Sequence, residues 1–257
     1  MRKVLSIAGS DSSGGAGIQA DLKTITAHGL YGMTVITAVT AQNTMGVTGV
    51  HDIPPDFVGL QMDAVFTDIY PDAVKIGMVS NASNIRMIAK KLREYEVKNI
   101  IIDPVMVSTS GSSLLKEDAM EALLTDLLPM AVLLTPNLPE AEILYKTFAK
   151  EYADCEIMAE RISEEMQTAV LVKGGHLSET ADDYLFWEGK NMIYPGERID
   201  NPNTHGTGCT LSSAIACHIA MGKSIPESVS SAKEYVTRAI QAGLDLGKGS
   251  GPLNHMV

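Results

Sequence analysis

Cysteine is scarce in this chain of 257 residues, which contains only Cys155, Cys209 and Cys217. Three cysteines are too few for a disulfide framework, and their spacing does not match that of a cysteine-ligated metal site. The sequence therefore predicts a protein of a reducing compartment, the cytoplasm.

Positive charge and long hydrophobic runs are also scarce. The chain has 20 lysines and arginines against 31 aspartates and glutamates, a net charge of −11. This balance argues against a nucleic acid or an anionic membrane as partner. No apolar run approaches the roughly 20 residues of a membrane span. The apolar run at the N-terminus stops after residue 8 and is interpreted as a buried strand rather than a signal peptide.

Short apolar runs alternate with helical patterns along the whole chain, without a linker, a repeat or a low-complexity segment. Strands are predicted at residues 4–8, 34–40, 73–77, 100–102, 132–134 and 169–172, with a hairpin at 185–187 and 192–194. Helices are predicted at 18–28, 57–66, from an N-cap at Ser83 to Glu94, at 116–128, at 140–165 with a break near Asp154, after Thr210, and at 226–246. The alternation predicts an α/β fold, a mostly parallel sheet with helices on both faces, in which residues 1–257 form one domain.

The most informative stretch is residues 203–210 (NTHGTGCT), which precede an apolar helical pattern. Gly206, Thr207 and Gly208 form a Gly-x-Gly turn at a helix start, where several backbone N–H groups are unpaired and the helix dipole adds positive charge. The stretch therefore predicts an anion site. A tight loop whose glycines only permit positive φ is the alternative.

Polar residues follow several predicted strands, at the edge where ligands bind in parallel sheets. Asp103 and Lys173 each come directly after a strand, and Lys173 provides a point charge for a phosphate beside two glycines. Glu140 begins a helix three residues after Asn137, where it holds Mg²⁺ through water or merely caps the helix. Together with the glycine turn, these residues make the set that phosphoryl transfer requires.

A glycine-rich loop (GSDSSGGAG) follows the first predicted strand. It lacks the ending of a P-loop, and no acidic residue ends the next strand, which disfavours a Rossmann oxidoreductase. We interpret it as a loop that lets a small substrate approach the backbone, with Asp21 facing that substrate. Gln42 offers a donor and an acceptor to an aminopyrimidine edge, or ties down loops. Met78 forms an apolar wall, or belongs to the core.

Eight segments spread in order through nearly the whole chain carry a family resemblance. They are 7–23 (IAGSDSSGGAGIQADLK), 40–44 (TAQNT), 75–78 (KIGM), 103–106 (DPVM), 135–140 (TPNLPE), 173–176 (KGGH), 203–210 (NTHGTGCT) and 251–255 (GPLNH). Together they resemble the hydroxymethylpyrimidine/phosphomethylpyrimidine kinases of thiamin biosynthesis, in the ribokinase-like superfamily.

The resemblance implies a ribokinase-like three-layer sandwich and a stand-alone enzyme that uses ATP and Mg²⁺, with a monovalent cation as a candidate third cofactor. Such an enzyme phosphorylates 4-amino-5-hydroxymethyl-2-methylpyrimidine and then its monophosphate, and a homodimer is the prior for its assembly. By the family's pattern the pyrimidine is held by Gly9, Asp21, Gln42, Met78 and Val105. ATP and its metal are then served by Asp103, Asn137, Glu140, Lys173 and the turn Gly206, Thr207, Gly208 and Cys209.

Cys209 stands where many sugar kinases of the superfamily carry an aspartate base. A helix N-terminus can lower the pKa of a thiol, which would make Cys209 a weak base. In the second step the acceptor is already anionic, so the cysteine instead avoids the repulsion that a carboxylate would cause, or it has no chemical part.

Two alternative functions remain at this point, pyridoxal kinase of vitamin B6 salvage and a non-catalytic vitamer-binding protein. The loop at residues 107–111 lacks the cysteine that some pyridoxal-phosphorylating relatives carry there, which favours the pyrimidine. Thr109 also replaces a lysine common at its position. Rich in serine and glycine, the loop is a lid candidate.

Overall fold

The computed structural model describes residues 1–106, 117–149, 153–175 and 180–257. Within these ranges nine strands form one sheet in the order β3-β2-β1-β4-β5-β6-β7-β8-β9. They are β1 (Lys3–Asp11), β2 (Tyr31–Asn43), β3 (Gly46–Asp52), β4 (Ala73–Ile76), β5 (Ile100–Ile102), β6 (Leu133–Leu134), β7 (Ala169–Val172), β8 (Asp183–Trp187) and β9 (Lys190–Tyr194). Pairing is parallel from β2 through β7 and antiparallel at both edges, where β3, β8 and β9 lie.

Helices connect the strands and close the chain. They are α1 (Gly17–Ala27), α2 (Pro55–Phe66), α3 (Ala82–Glu94), α4 (Glu117–Ala122), α5 (Leu138–Phe148), α6 (Cys155–Met166), α7 (Thr207–Ala220) and α8 (Ile225–Ala242). In the described part of the chain, no helix has the length and apolar character needed to span a lipid bilayer.

The central strands β1 and β4 to β7 are buried on both faces, as the uninterrupted apolar sequences of most of them predict. On β5, Ile100 and Ile102 pack in one core with α2 to α6, whereas Ile101 between them packs in a second core with α1, α7 and α8. Because successive side chains of a strand point to opposite faces, the two cores lie on the two sides of the sheet. The predicted α/β sandwich of three layers is confirmed.

Several predicted elements differ from the observed ones. The N-cap of α3 is Asn81, whose side chain accepts from Asn84 N, and not Ser83. The sequence missed β3, because it is exposed along its whole length and carries no apolar alternation. The helix predicted at 116–128 is α4 continued by a π-helical turn, Leu123–Leu127, and a 3-10 turn. The predicted break near Asp154 is confirmed, since Asp154 caps α6.

The order of the parallel strands reverses at β1, which lies between β2 and β4. The chain leaves β1 for β2 on one side and later returns to β4 on the other. A crevice forms beyond the carboxyl ends of the strands at such a reversal, and ligands bind there in open α/β sheets. Gly9 of β1 and Gly77 after β4 lie at this point.

Candidate active site

The glycine turn caps α7. Gly206 is the N-cap residue with φ of 84°, and no side chain caps the helix. The helix begins at Thr207, four residues before the predicted start, so Gly208 and Cys209 belong to its first turn. The first N–H groups of a helix have no intrahelical partner and lie at the positive end of its dipole. Thr207 N donates to Thr204 O at 3.2 Å, so the predicted anion site has the N–H groups of Gly208 and Cys209 at this end of the helix.

This turn contacts the first glycine-rich loop backbone to backbone. A Cβ on Gly206 would lie 1.9 Å from Gly15 O, and a Cβ on Gly15 would lie 2.3 Å from His205 Cδ2. Neither position has room for a methyl group, and Gly206 also needs its positive φ. The two loops that the sequence singled out therefore form one surface.

Lys173 brings a positive charge to the first turn of α7. Its Nζ lies 2.6 Å from Asp103 Oδ1, and a Cβ on Gly208 would lie 3.1 Å from the same Nζ. Burial acts to lower the pKa of Lys173, but the charges of Asp103 and Glu140 raise it above its usual value. The ammonium is therefore retained at neutral pH, beside Gly208 in the first turn of α7.

Asn137 and Glu140 form the capping box at the start of α5. Asn137 Oδ1 accepts from Glu140 N at 2.9 Å, and Glu140 Oε2 accepts from Asn137 N at 2.9 Å. Glu140 Oε1 also accepts from Met106 N at 3.3 Å. Burial raises the pKa of Glu140 and the charge of Asp103 raises it further, while Lys173 opposes both. Two roles were open for Glu140, a Mg²⁺ ligand and a helix cap, and the structure shows the helix cap.

Among the described residues, no group of three or more histidine, cysteine or carboxylate side chains forms a metal site. This arrangement still fits Mg²⁺, which is commonly bound through one or two carboxylates, substrate phosphates and water. Asp103 lies close enough to Glu140 for the repulsion between the two carboxylates to raise the pKa of Glu140. A cation near both carboxylates would relieve this repulsion.

Cys209 is half-buried at the start of α7. Burial raises the pKa of its thiol, and Asp21 and Asp103 act in the same direction, while Lys75 and the backbone N–H of Gly17 oppose them. The expectation of a thiol with a lowered pKa is therefore wrong. Burial and the two carboxylates outweigh Lys75 and the Gly17 hydrogen bond, so the sulfur stays protonated at neutral pH.

Asp21 is fully buried one turn into α1. Lys75 Nζ lies 2.9 Å from both of its carboxylate oxygens, and the hydroxyls of Ser6 and Ser213 donate to it at 2.5 and 2.7 Å. The carboxylate faces Lys75 inside the protein rather than open space, which the sequence did not reveal. Its predicted contact with a substrate would require these bonds to rearrange.

The residues predicted to hold a pyrimidine lie near the reversal of the sheet. A Cβ on Gly9 would lie 3.5 Å from Met78 Sδ, so the methionine packs over the glycine. Gln42 is half-buried, with its amide nitrogen 3.3 Å from His205 Nε2. Val105 is half-buried after β5, and its N–H donates to Asp103 O. The residues predicted to hold the pyrimidine and those predicted to hold the phosphates thus lie at one edge of the sheet.

Three polar residues of this edge were missed as functional candidates. Lys75 is fully buried in β4, and a lysine within the apolar run AVKI was the signal for it. Asp11 and His205 lie within the quoted motifs, but only the fold shows that they pair at 2.9 Å. Thr109 and the lid candidate lie outside the described residues.

The chain matches the phosphomethylpyrimidine kinase family over residues 11–254. It belongs to this family. A hydroxymethylpyrimidine/phosphomethylpyrimidine kinase of Rhizobium meliloti (strain 1021) is 52% identical over 255 residues, which cover 98% of this chain and 96% of that protein.

Solved structures show the same relationship. A crystal structure of phosphomethylpyrimidine kinase from Clostridium difficile 630 is 47% identical, with a TM-score of 0.82 over 93% of this chain and 100% of the other. An ADP complex of Bacillus subtilis pyridoxal kinase is 38% identical, with a TM-score of 0.90 over 99% of this chain and 97% of the other. These neighbours confirm the expected ribokinase-like fold of this phosphomethylpyrimidine kinase family member.

Proposed function

We propose that this chain is an ATP-dependent kinase of thiamin biosynthesis that acts twice on one pyrimidine. It phosphorylates the hydroxymethyl group of 4-amino-5-hydroxymethyl-2-methylpyrimidine and then the monophosphate, to give the diphosphate. One observation carries this proposal: Lys173 Nζ packs against Gly208 in the first turn of α7 and contacts Asp103. The names of the family and of the Rhizobium meliloti relative support the substrate. We propose that residues 1–257 act as a single kinase domain.

Each step forms a bond between the γ-phosphorus of ATP and an acceptor oxygen and breaks the bond to the β,γ-bridging oxygen. The acceptor hydroxyl loses its proton to solvent. Such transfers depend mainly on positioning and on neutralising charge. Thr207 N donates to Thr204 O, so the N–H groups of Gly208 and Cys209 at the start of α7 stabilise the transferred group. Lys173 adds its ammonium. Asp103 holds that ammonium in place.

We place Mg²⁺ near Asp103 and Glu140, held through water molecules and the phosphates of ATP. When bound, the ion neutralises phosphate charge and aligns the γ-phosphoryl group. Asn137 positions Glu140 through the capping box and is placed to contact ATP. A monovalent cation remains a candidate for the same region.

The pyrimidine is proposed to lie between Gly9, Met78 and Val105, with Gln42 reading its polar edge. Gly9 allows close approach of the ring to the backbone, and the thioether of Met78 provides a polarizable wall. Asp21 is proposed to affect this site indirectly, through its ion pair with the buried Lys75.

Cys209 is proposed to act as a neutral residue rather than as a base, because its thiol has a raised pKa. A neutral side chain does not repel the anionic acceptor of the second step. The amides of the turn then do most of the electrostatic work.

The test incubates purified protein with ATP, Mg²⁺ and either the hydroxymethylpyrimidine or pyridoxal, and identifies the products by mass. Two successive phosphate additions to the pyrimidine are expected, and a Lys173→Met variant is expected to lose both. Bound pyrimidine without any transfer would refute the kinase and revive a vitamer-binding protein.

Pyridoxal kinase is the second candidate, because the Bacillus subtilis pyridoxal kinase superposes with a TM-score of 0.90. Its identity of 38% is lower than the 52% of the Rhizobium meliloti pyrimidine kinase. Transfer to pyridoxal alone in the assay above would establish this candidate in place of the first.

We also propose a homodimer formed at the β3 edge. Apolar side chains exposed by 44 to 70% cluster there, namely Val39, Met45, Val47 and Val50. An exposed apolar edge strand is prone to pair with another chain, and a second copy is the partner always present. Sedimentation is expected to show a dimer that Val47→Lys dissociates. Ile193→Lys, on the opposite edge strand β9, should leave it intact.

A cytoplasmic location is proposed as well. All three cysteines are free thiols, which is typical of a reducing compartment. Fractionation of the native host should recover the protein in the cytoplasmic fraction.

A further inference from the structure

Asp11 occupies the centre of the first glycine-rich loop and accepts hydrogen bonds from all sides. Ser13 N and Ser13 Oγ donate to Oδ1 at 2.8 Å, and Gly15 N and Ala16 N donate to Oδ2 at 3.1 and 2.8 Å. Burial acts to raise the pKa of Asp11, but hydrogen bonds from His205, Ser13 and Ala16 hold it well below its usual range. The group is therefore an ionised carboxylate, which can only accept.

His205 Nε2 lies 2.9 Å from Asp11 Oδ2. Because the carboxylate cannot donate, the hydrogen between these atoms belongs to Nε2 of the imidazole. The same Nε2 lies 3.3 Å from Gln42 Nε2. A ring nitrogen that carries hydrogen has no lone pair to offer, so an amide N–H pointing at it would set two donors against each other.

At the other end of the amide, the hydroxyl of Thr40 lies between two acceptors. Its hydroxyl lies 3.0 Å from Ser10 O and 3.1 Å from Gln42 Oε1. A hydroxyl has one hydrogen to donate, and the Ser10 carbonyl can only accept. If Thr40 donates to Ser10, its lone pairs face Gln42 and require a donor there.

A half rotation of the Gln42 carboxamide, which leaves its shape unchanged, removes the clash of donors at His205. It also lets Thr40 donate to Ser10 and accept from Gln42. We propose that Asp11 fixes hydrogen on His205 Nε2 and that His205 and Thr40 thereby fix the Gln42 amide. The amide nitrogen then lies toward Thr40, and the amide oxygen lies toward His205, where it shares the single Nε2 hydrogen with Asp11 Oδ2 as the longer of the two contacts. The three residues are positioning residues that set the polarity of Gln42.

This inference rests on the proposed function, in which Gln42 reads the pyrimidine. After its two protein contacts the amide keeps one N–H and one lone pair, with the donor on the Thr40 side and the acceptor on the His205 side. A 4-aminopyrimidine presents an amine donor next to a ring nitrogen acceptor. The fixed amide therefore selects this order and rejects a 4-oxopyrimidine, whose ring N–H and carbonyl present the reverse order.

The first test reads the imidazole directly, without substrate. The ¹⁵N resonances of His205 are assigned by their loss in a His205→Gln variant, which is practical in a chain with six histidines. A pyrrole-type Nε2 is expected in the protein at neutral pH. A pyridine-type Nε2, without hydrogen, would overturn the proposal whatever the activity.

The second test compares KM for the 4-amino substrate and its 4-oxo analogue, 5-hydroxymethyl-2-methylpyrimidin-4-one, in two variants. His205→Phe keeps a ring against Gly15 but donates nothing, so the amide can turn. The KM preference for the amino substrate is expected to fall about 3- to 10-fold, the value of one hydrogen bond, with kcat little changed. His205→Gln restores a donor to Asp11 and should recover the preference.

The outcomes separate this inference from the function on which it rests. An unchanged preference in a folded His205→Phe enzyme would overturn the positioning role. If that variant fails to fold, the ring spectrum and the His205→Gln preference decide. A wild-type protein that phosphorylates neither pyrimidine would refute the proposed function, and the spectrum would still decide where the hydrogen lies.

Discussion

The buried ion pair between Lys75 and Asp21 allows a sharp prediction about stability. Both side chains are fully buried, and the ammonium contacts both carboxylate oxygens at 2.9 Å. Lys75→Met preserves most of the side-chain volume but leaves Asp21 with two serine hydroxyls and no counter-charge. Removing one partner of a buried pair costs roughly 3–5 kcal/mol. For a chain of this size that corresponds to a melting temperature lower by about 6–20 °C.

The assay is thermal unfolding followed by circular dichroism, with Lys146→Met as the matched control. Lys146 makes the same kind of pair with Glu142, at 3.6 Å, but the two side chains are 72% and 42% exposed. The control should change stability by no more than about 0.5 kcal/mol. Adding Asp21→Asn to Lys75→Met should recover part of the loss, because the neutral amide still bonds the serines. A Lys75→Met protein as stable as the control would refute the reasoning.

Three further predictions follow from the site and its supports. Cys209→Ser should retain both phosphorylations, whereas Cys209→Asp should selectively lose the second; product analysis that shows full diphosphate formation by Cys209→Asp would contradict the proposed neutral role. In steady-state assays, Gly206→Ala should abolish phosphoryl transfer because its Cβ would meet Gly15 O at 1.9 Å. The control Gly222→Ala, at φ of 90° with open space around it, should lower the free energy of unfolding by about 1–2 kcal/mol and keep the activity. His218 and His255 are buried, and burial lowers the pKa of each to about 4. Their rings are therefore neutral in the fold but take up protons in the unfolded chain below about pH 6.5. The stability present above that pH should fall as pH drops toward 4, by on the order of 3 kcal/mol for each ring, and a urea midpoint that stays constant across this range would be inconsistent with neutral buried rings.

The positions of most strands and helices were accessible from the sequence because the apolar patterns of buried strands and helices are strong. The hairpin strand β3 was not accessible, since an exposed strand has no buried face to leave a pattern. Ser83 and Asn81 are both good capping residues. Only the packing of α3, with Ile85 and Ile88 in the core, decides between them.

The residues of the candidate site likewise divide into those that the sequence pattern reveals and those whose properties depend on the fold. Lys173, Asp103 and the glycine turn could be located, because charged residues and glycines directly after buried strands are conspicuous. The protonation of Cys209 could not, since it depends on burial and on Asp21 and Asp103, which approach from other elements. The role of His205 depends on Asp11, which lies 194 positions away in the chain.

The contact between Gly15 and Gly206 has a consequence for how such a site can diversify. Where Gly206 meets the Gly15 carbonyl, no side chain separates the loop proposed for the acceptor from the turn proposed for the phosphate, so backbone contact sets the spacing between the two reactants there. Side chains that read the acceptor, such as Gln42 and Met78, lie outside this contact. Substitution of these side chains can admit a different ring while the transfer distance remains the same. The specificity of the acceptor pocket can therefore change without a change in the geometry of phosphoryl transfer.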